Sequence, residues 1–160
     1  MVSFASDEAI CRVVAQYSPM LLRLACTRLD STADAEDAVQ EVFLKLLSSR
    51  PVFRDAEHER AWLIRATLHR ACDIRRRAER KHIPLDALAE TPAPGSEDGE
   101  LLRAVQALPE KYSTPVHLHY YEGYSIHEIA NLLGLPAATV GTRLARGRER
   151  LRQILKEDDQ

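Results

Sequence analysis

The chain has 160 residues, of which 45% are hydrophobic and 29% are charged, and its net charge is −2. This length allows one domain or two small ones, and the composition supports packed cores. The sequence has no run of about 18 apolar residues, as a membrane span requires, and no secretory signal at its N-terminus. We therefore expect a cytoplasmic protein that is not inserted in a membrane.

Cysteines and histidines are the residues to consider for metal, redox or catalytic chemistry. Cys11, Cys26 and Cys72 form no CxxC pair and lie on apolar helical stripes, so we expect buried free thiols. His117 and His119 are two residues apart and do not share a helix face. No serine or cysteine stands in a nucleophile motif. The sequence thus predicts no metal, no cofactor and no enzymatic activity.

Helical periodicity dominates the chain and alternating strand patterns are absent, so the predicted fold is all-α. In the N-terminal part, this periodicity predicts one helix over 7–17 and a second over 19–29, with Pro19 at the start of the second helix. A third helix follows, capped by Ser31 or Thr32, and the acids in its first turns suit the positive end of a helix dipole.

A fourth helix is predicted over 57–80, with Trp62 on its apolar stripe and therefore in the core. Residues 60–81 carry eight basic side chains, whereas residues 31–48 carry four acids and one lysine. Opposite charge on two helices of one domain indicates surfaces for different partners, one of them nucleic acid.

Residues 83–99 contain three prolines, two glycines and several acids, and they contain no basic residue. This composition is typical of a flexible linker. We therefore predict two small helical domains, 1–82 and 100–160, joined by an acidic linker.

The C-terminal domain predicts four helices, of which the last two form a helix-turn-helix. Ser125 and Glu128 have the spacing of a capping box at the start of a helix over 126–133, and Gly134 suits the end of that helix. The final helix is predicted to run to about Leu155.

The pattern of the last two helices predicts a core side and a DNA side. The predicted core residues are Ile126, Ile129, Ala130, Leu133, Val140, Leu144, Leu151 and Leu155. The opposite side of the final helix is short and polar, with arginines at its rim. Small and polar side chains can enter the major groove while arginines contact phosphates, so we predict a DNA-recognition helix.

The helix-turn-helix resembles region 4 of bacterial sigma factors, particularly the small extracytoplasmic-function (ECF) group, over the segment YSIHEIANLLGLPAATVGTRLARGRERLR. The third helix is similar to region 2.2 of the same family over DAEDAVQEVFLKLL. The fourth helix resembles the end of region 2 over AWLIRATLHRACDIRRR. Together these segments cover nearly the whole chain in the order that the family shows.

This resemblance implies a function in transcription initiation, with core RNA polymerase, promoter DNA and an anti-sigma factor as partners. It implies polymerase contacts by Asp37, Gln40 and Glu41. It implies contacts with the −10 element by Phe53, Arg54, His69, Arg70, Asp73 and Arg76. It implies contacts with the −35 element by Thr139, Thr142, Arg143, Arg146 and Arg148. Arg143 and Arg148 are placed for phosphates or for bracing the fold.

Two alternatives remain open from the sequence. The acidic linker either mimics RNA along the exit path, as the resemblance implies, or serves as a solubilising tether. The chain as a whole could also be a conventional helix-turn-helix regulator that binds duplex DNA as a dimer.

Overall fold

The computed structural model of the chain describes residues 7–80 and 97–158. Within these residues every regular element is a helix, which confirms the predicted all-α fold. The chain divides into two compact units between Ala89 and Glu90. The helices of the N-terminal unit are α1 (Asp7–Ala25), α2 (Thr32–Ser49) and α3 (Ala56–Arg80). Those of the C-terminal unit are α4 (Glu97–Ala107), α5 (Glu110–Tyr120), α6 (Ile126–Leu133) and α7 (Ala137–Asp158).

The observed helices begin and end close to the predicted positions except at the predicted linker and at Pro19. Helix α4 begins at Glu97, so residues 97–99 are helical rather than part of a linker. The remainder of the predicted linker, 83–96, lies outside the described residues. No helix within the described residues has the length and apolar character needed to cross a membrane.

Helix α1 is continuous through Pro19, so the predicted break at this residue is wrong. Proline lacks an N–H group, and the carbonyl of Ala15 therefore loses its helical partner. Both Ala15 and Pro19 are exposed, which lets water take the place of the missing donor. On the other side of the helix Tyr17, Met20 and Leu24 are buried. Burial of that side keeps the helix intact despite the proline.

The three helices of the N-terminal unit pack on one another around an aliphatic core. The side chain hydroxyl of Ser31 accepts from the N–H of Asp34 at 3.2 Å and caps α2. Fully buried aliphatic side chains come from every helix and include Leu21, Leu24, Leu46, Leu63 and Ile64. Each such side chain stabilises the fold by about 1.5–3 kcal/mol relative to exposure.

Glu59 places a carboxylate inside this unit, with only 1% of the residue exposed. A buried charge is costly unless it is paired. The guanidinium of Arg12 on α1 donates to Glu59 Oε2 at 3.3 Å. The pKa of the Tyr17 hydroxyl is raised by burial and then by this carboxylate. The network therefore ties the basic helix α3 to α1.

In the C-terminal unit α7 packs against α4, α5 and α6. The core contains buried side chains from all four helices, among them Val105, Val116, Leu118, Ile129, Val140 and Leu144. The predicted core is wrong at Ile126, which is 37% exposed, and at Leu155, which is 36% exposed, while Ala130 and Leu133 are only half-buried. Ile126 and Leu155 lie near helix ends, where the neighbouring helices cover them only in part.

Helix α7 crosses α5 closely because residue 147 is a glycine. A Cβ atom at Gly147 would stand 2.7 Å from Val116 Cγ2 and 3.4 Å from Tyr112 Cβ. Gly141 lies in the same helix, and a Cβ there would meet nothing within 4 Å. Each glycine weakens a helix by roughly 1 kcal/mol relative to alanine, but only Gly147 is required by packing.

We expect Gly147→Ala to destabilise the C-terminal unit by about 1–3 kcal/mol, since α5 must shift and the gain in helix propensity does not offset this. Gly141→Ala is the matched control, and we expect it to stabilise the same unit by up to about 1 kcal/mol. Denaturant unfolding followed by circular dichroism measures both effects. If both substitutions stabilised the C-terminal unit equally, that result would contradict the close crossing of α5 and α7.

The cysteines are less buried than predicted. Cys11 is exposed, and Cys26 and Cys72 are half-buried, so the prediction of three buried thiols is wrong. Cys11 follows the buried Ile10 and is rotated by about 100° from it, which takes its side chain away from the core. The guanidinium of Arg28 donates to the sulfur of Cys72 at 2.6 Å.

Burial, with a smaller effect of the Glu36 carboxylate, raises the pKa of the Cys26 thiol from 9.0 to about 11. Because the thiolate is the nucleophile, we expect alkylation of Cys26 by iodoacetamide to reach its half-maximal rate near pH 11. The exposed Cys11 in the same chain reports the rate at an accessible thiol. Peptide mass spectrometry measures both rates, and circular dichroism confirms that the chain is folded at each pH.

The same pKa shift affects stability. The unfolded chain releases the Cys26 proton at a lower pH than the folded chain. The contribution of the Cys26 thiol to the free energy of unfolding is therefore lost as the pH rises from about 9 towards 11. A Cys26 alkylation midpoint near pH 9 in the folded chain would contradict the burial of this thiol.

Candidate functional site

Helix α2 presents a polar side that also contains exposed apolar side chains. Asp37, Gln40 and Glu41 are all exposed, and their spacing of three and four residues puts them on one side of the helix. Leu44 continues this side by one turn and is 58% exposed. Sequence reasoning missed Leu44, although its spacing from Gln40 and Glu41 was a usable signal. A single exposed leucine is common at protein surfaces, and Leu44 is of interest because it lies beside the predicted polymerase contacts.

Arg70 on α3 connects this side of α2 with the predicted −10 surface. Its Nε donates to Glu41 Oε2, and its Nη1 lies 3.9 Å from Asp73 Oδ2. The structure therefore brings one predicted polymerase contact together with two predicted DNA contacts. Exposed ion pairs contribute little to stability, so the main consequence of these pairs is to orient the guanidinium.

The remaining polar residues predicted for the −10 element are at the surface. His69, Asp73 and Arg76 are exposed, and their spacing places them on one side of α3. Arg54 is exposed in the loop before α3, and its backbone N–H donates to His58 Nδ1 at 3.1 Å. These residues provide cationic and hydrogen-bonding groups along one helix and its preceding loop.

Phe53 is the exception among the predicted DNA contacts, because the residue is only 1% exposed. Its ring lies edge-on to His58 at a centroid distance of 5.2 Å and tilted against Trp62 at 5.8 Å. A ring packed in this way cannot stack on an unpaired base without leaving the core. We therefore correct the prediction for Phe53, which anchors the loop that carries Arg54.

Trp62, predicted as a core residue, is half-buried.

The turn between α5 and α6 is held by contacts with His117 and Leu118. The amide of Glu122 donates to the carbonyl of His117 at 3.3 Å, and Tyr124 donates to Leu118 at 3.0 Å. The fully buried His117 ring also places Nε2 3.2 Å from Glu122 Oε1. Gly123 has φ +75°, which suits a residue without Cβ. The turn therefore fixes the entry into α6.

The helix-turn-helix has the predicted local structure. The Ser125 hydroxyl accepts from the Glu128 N–H at 3.2 Å, and Glu128 Oε1 accepts from the Ser125 N–H at 3.1 Å. These reciprocal bonds form the predicted capping box. Gly134 has φ +66°, and Leu135 donates to the carbonyl of Ala130 at 3.0 Å. The turn after α6 thus ends this helix and starts α7 in a defined direction.

The exposed side of α7 carries Thr142 and Arg146, which are one turn apart. The Thr142 hydroxyl donates to the carbonyl of Ala138 at 3.0 Å, so its oxygen remains able to accept a hydrogen bond. Thr139 and Arg143 lie beside these two residues and are half-buried. Four of the five residues predicted for the −35 element therefore share one side of α7.

Arg148 lies on a different side of α7. It is two residues beyond Arg146, which rotates it by about 200° around the helix. Its Nη1 donates to the hydroxyl of Tyr120 on α5 at 2.9 Å. This contact corresponds to the bracing role that the sequence left open for Arg148, and we do not retain it among the −35 contacts.

Two family models match the chain. The model for Sigma-70 region 2 matches residues 13–81, and the model for Sigma-70, region 4 matches residues 98–151. The first match covers the N-terminal unit from within α1 to the end of α3. The second begins in α4 and includes α5, α6 and most of α7.

Individual proteins are similar to the chain over most of its length. RNA polymerase sigma factor SigV of Bacillus subtilis (strain 168) is 33% identical over 141 residues, covering 85% of each chain. ECF RNA polymerase sigma factor SigW of the same organism is 30% identical over 176 aligned positions, covering 98% of this chain and 94% of SigW. In fold, the chain is similar to the sigma factor RpoE of Bartonella quintana, co-crystallised with the anti-sigma factor NepR. The TM-score is 0.74 at 23% identity, over 93% of this chain and 98% of RpoE.

Proposed function

This chain belongs to the sigma-70 family as an ECF-type RNA polymerase sigma factor, and we propose that it directs core polymerase to promoters through one DNA contact on each unit. The observation that carries this function is that region 2 and region 4 match the two units in order. A conventional dimeric regulator is not favoured, because such a protein would need no region 2.

We assign residues 1–82 to region 2, residues 83–96 to the linker and residues 97–160, which begin with α4, to region 4. The matches over 13–81 and 98–151 support this division. A chain with this function acts by binding rather than by covalent chemistry, and it acts in the cytoplasm, where its polymerase is. The acidic composition of the linker suits either an RNA mimic or a solubilising tether.

We propose that the exposed side of α2 binds the polymerase. Asp37, Gln40 and Glu41 supply charge and hydrogen-bonding capacity, and Leu44 supplies apolar area at the same surface. Burial of an exposed leucine at an interface is favourable, whereas the surrounding charges set orientation and partner choice. Leu44 is therefore our candidate for the largest single contribution to this contact.

We propose that α3 and its preceding loop bind the −10 element as single-stranded DNA. Arg54, Arg70 and Arg76 provide cations for the backbone. His69 and Asp73 provide hydrogen-bonding groups for an unstacked base, and Asp73 also helps to orient Arg70. Family members often have asparagine where this chain has His69, so we expect this chain to prefer a different base in the −10 element from those members.

We propose that α7 reads the −35 element in the major groove. Thr142 and Arg146 are exposed, and they have the functional groups that contact base edges. Thr139 and Arg143 flank them and are placed for the phosphates. Gly141 and Ala145 offer no polar groups on this helix, so DNA shape contributes to recognition as well.

We propose that an anti-sigma factor regulates the chain by covering its polymerase-binding surfaces. The likeness to RpoE, which was crystallised with NepR, motivates this proposal. Co-purification that returned polymerase alone from cells under every growth condition would contradict it.

With core polymerase, the purified chain should start transcription at defined positions on genomic fragments, as run-off assays and start-site mapping measure. We expect Thr142→Ala and Arg146→Ala to reduce discrimination against altered −35 sequences by roughly 5- to 100-fold, since each good base contact contributes about 1–3 kcal/mol. Affinity for core polymerase is the control and should not change.

Failure of the unmodified chain to bind core polymerase would sink the proposed function. Loss of core binding in either α7 variant would instead show that the substitution acts outside DNA recognition.

For the polymerase contact, we expect Leu44→Ala to weaken binding to core by roughly 5- to 30-fold, because apolar area is no longer buried. Val52→Ala is a matched control, since Val52 is also 58% exposed but lies in the loop after α2. Fluorescence competition for core polymerase measures both affinities. An equal effect of the two substitutions would exclude α2 as the specific surface.

A further inference from the structure

Lys111 and Arg150 place two positive charges at one aromatic ring of the C-terminal unit. Lys111 Nζ lies 5.0 Å from the centroid of the Tyr112 ring, and Arg150 Cζ lies 4.9 Å from the same centroid. Both distances suit a cation–π contact. Lys111 belongs to α5 and Arg150 belongs to α7, so the ring brings together cations from two helices that are distant in the sequence.

Tyr112 is a fixed support for this pair of cations. Only 4% of the residue is exposed, and its N–H donates to the carbonyl of Pro109 at 2.9 Å. A Cβ built at Gly147 would stand 3.4 Å from Tyr112 Cβ, so the ring begins at the crossing of α5 and α7. Lys111 and Arg150 are themselves exposed. The buried ring thus holds two charges that face solvent.

No acid in the described part of the chain neutralises these two charges. Within residues 7–80 and 97–158, neither Lys111 nor Arg150 takes part in an ion pair. The acid next to Arg150 in the sequence is Glu149, but its Oε2 lies 3.7 Å from Arg152 Nη1. Because like charges repel each other, two neighbouring cations without an acid favour an anion from outside the chain.

The position of Arg150 along α7 indicates which anion this is. Thr142, Arg146 and Arg150 follow one another at intervals of one turn, and all three are exposed. Arg150 lies about 12 Å along the helix from Thr142, which is about the width of the major groove. Recognition helices read bases near their N-terminal end. If Thr142 reaches a base edge, Arg150 is therefore at the level of the phosphates.

Arg152 provides an internal comparison on the same helix. It is two residues beyond Arg150, which rotates it by about 200° around α7. Its side chain is 70% exposed, and its charge is paired with Glu149. The two arginines thus have the same chemistry, but they lie on different sides of α7 and only Arg152 has an acid as its partner.

We propose that Lys111 and Arg150 form a phosphate-binding site for the backbone of promoter DNA at the edge of the −35 element. This inference rests on the proposed function of α7. Lys111 precedes both helices of the helix-turn-helix, so the site extends the DNA contact beyond that motif to the start of α5. Phosphate contacts set register and affinity and carry no direct sequence information.

The test uses holoenzyme assembled from the full chain and core polymerase. The probes are the promoter fragment identified by start-site mapping and a copy with inverted −35 base pairs. Equilibrium affinity for both probes is measured at several KCl concentrations for the unmodified chain and its variants. The variants are Lys111→Gln, Arg150→Gln, Arg150→Lys, Arg152→Gln and Arg146→Ala. Thermal unfolding of each chain shows whether the fold is retained.

We expect Lys111→Gln and Arg150→Gln each to reduce the slope of log affinity against log salt by about 0.9, as the loss of one phosphate contact predicts. Arg150→Lys should keep the slope, since it keeps the charge. Arg152→Gln, the matched control, should also leave it unchanged. The ratio of affinities for the two probes should stay the same in all four variants, because phosphates do not report the base sequence.

The results that would overturn the proposal differ in what they imply for the proposed function. If neither Lys111→Gln nor Arg150→Gln changes the salt slope while Arg146→Ala lowers the affinity ratio, the phosphate site alone is wrong. If thermal stability falls without a change in slope, the two cations are structural.

An equal loss of slope in Arg152→Gln would show a general effect of helix charge, which would also overturn the site. A lower affinity ratio in Arg150→Gln would mean that Arg150 reads a base instead of a phosphate. If Arg146→Ala leaves the affinity ratio intact as well, the assignment of Arg146 to the −35 contact is wrong, and the site loses its premise.

Discussion

The close crossing of α5 and α7 at Gly147 is the constraint on which the C-terminal unit depends. A methyl group at this position would stand 2.7 Å from Val116 Cγ2, so any other residue would force the Val116 side chain or the helices to move. The crossing brings Arg150 over the ring of Tyr112, and it brings Tyr120 next to Arg148. The packing of α7 on α5 therefore fixes both the direction of the recognition helix and the positions of these two arginines.

The N-terminal unit depends on buried charge pairing in a comparable way. Glu59 is buried and accepts a hydrogen bond from the exposed Arg12, and this pair holds α3 against α1. At the surface of the same unit, Glu41 and Arg70 link the proposed polymerase contact on α2 with the proposed DNA contact on α3. Binding of polymerase at α2 could thus alter the environment of Arg70 directly, without a change in the core.

Local sequence signals predicted much of this fold, because their chemistry acts over a few residues. The Ser125–Glu128 capping box and the left-handed Gly134 are examples. Periodicity alone could not show how far neighbouring helices cover a stripe, and it therefore misplaced Ile126, Leu155 and the cysteines. The packing of Phe53 on Trp62 and the pairing of Tyr120 with Arg148 are tertiary contacts that periodicity does not encode. By contrast, helical spacing alone could have placed Leu44 on the polar side of α2.

In the proposed function, the two DNA contacts on separate units operate only with polymerase. Nuclease and permanganate footprinting of the mapped promoter, with the chain alone and with holoenzyme, tests it most directly. We predict protection of both the −35 and −10 elements and reactive thymines near the start site with holoenzyme only. Stable protection of duplex DNA by the chain alone, unchanged when core polymerase is added, would contradict the account.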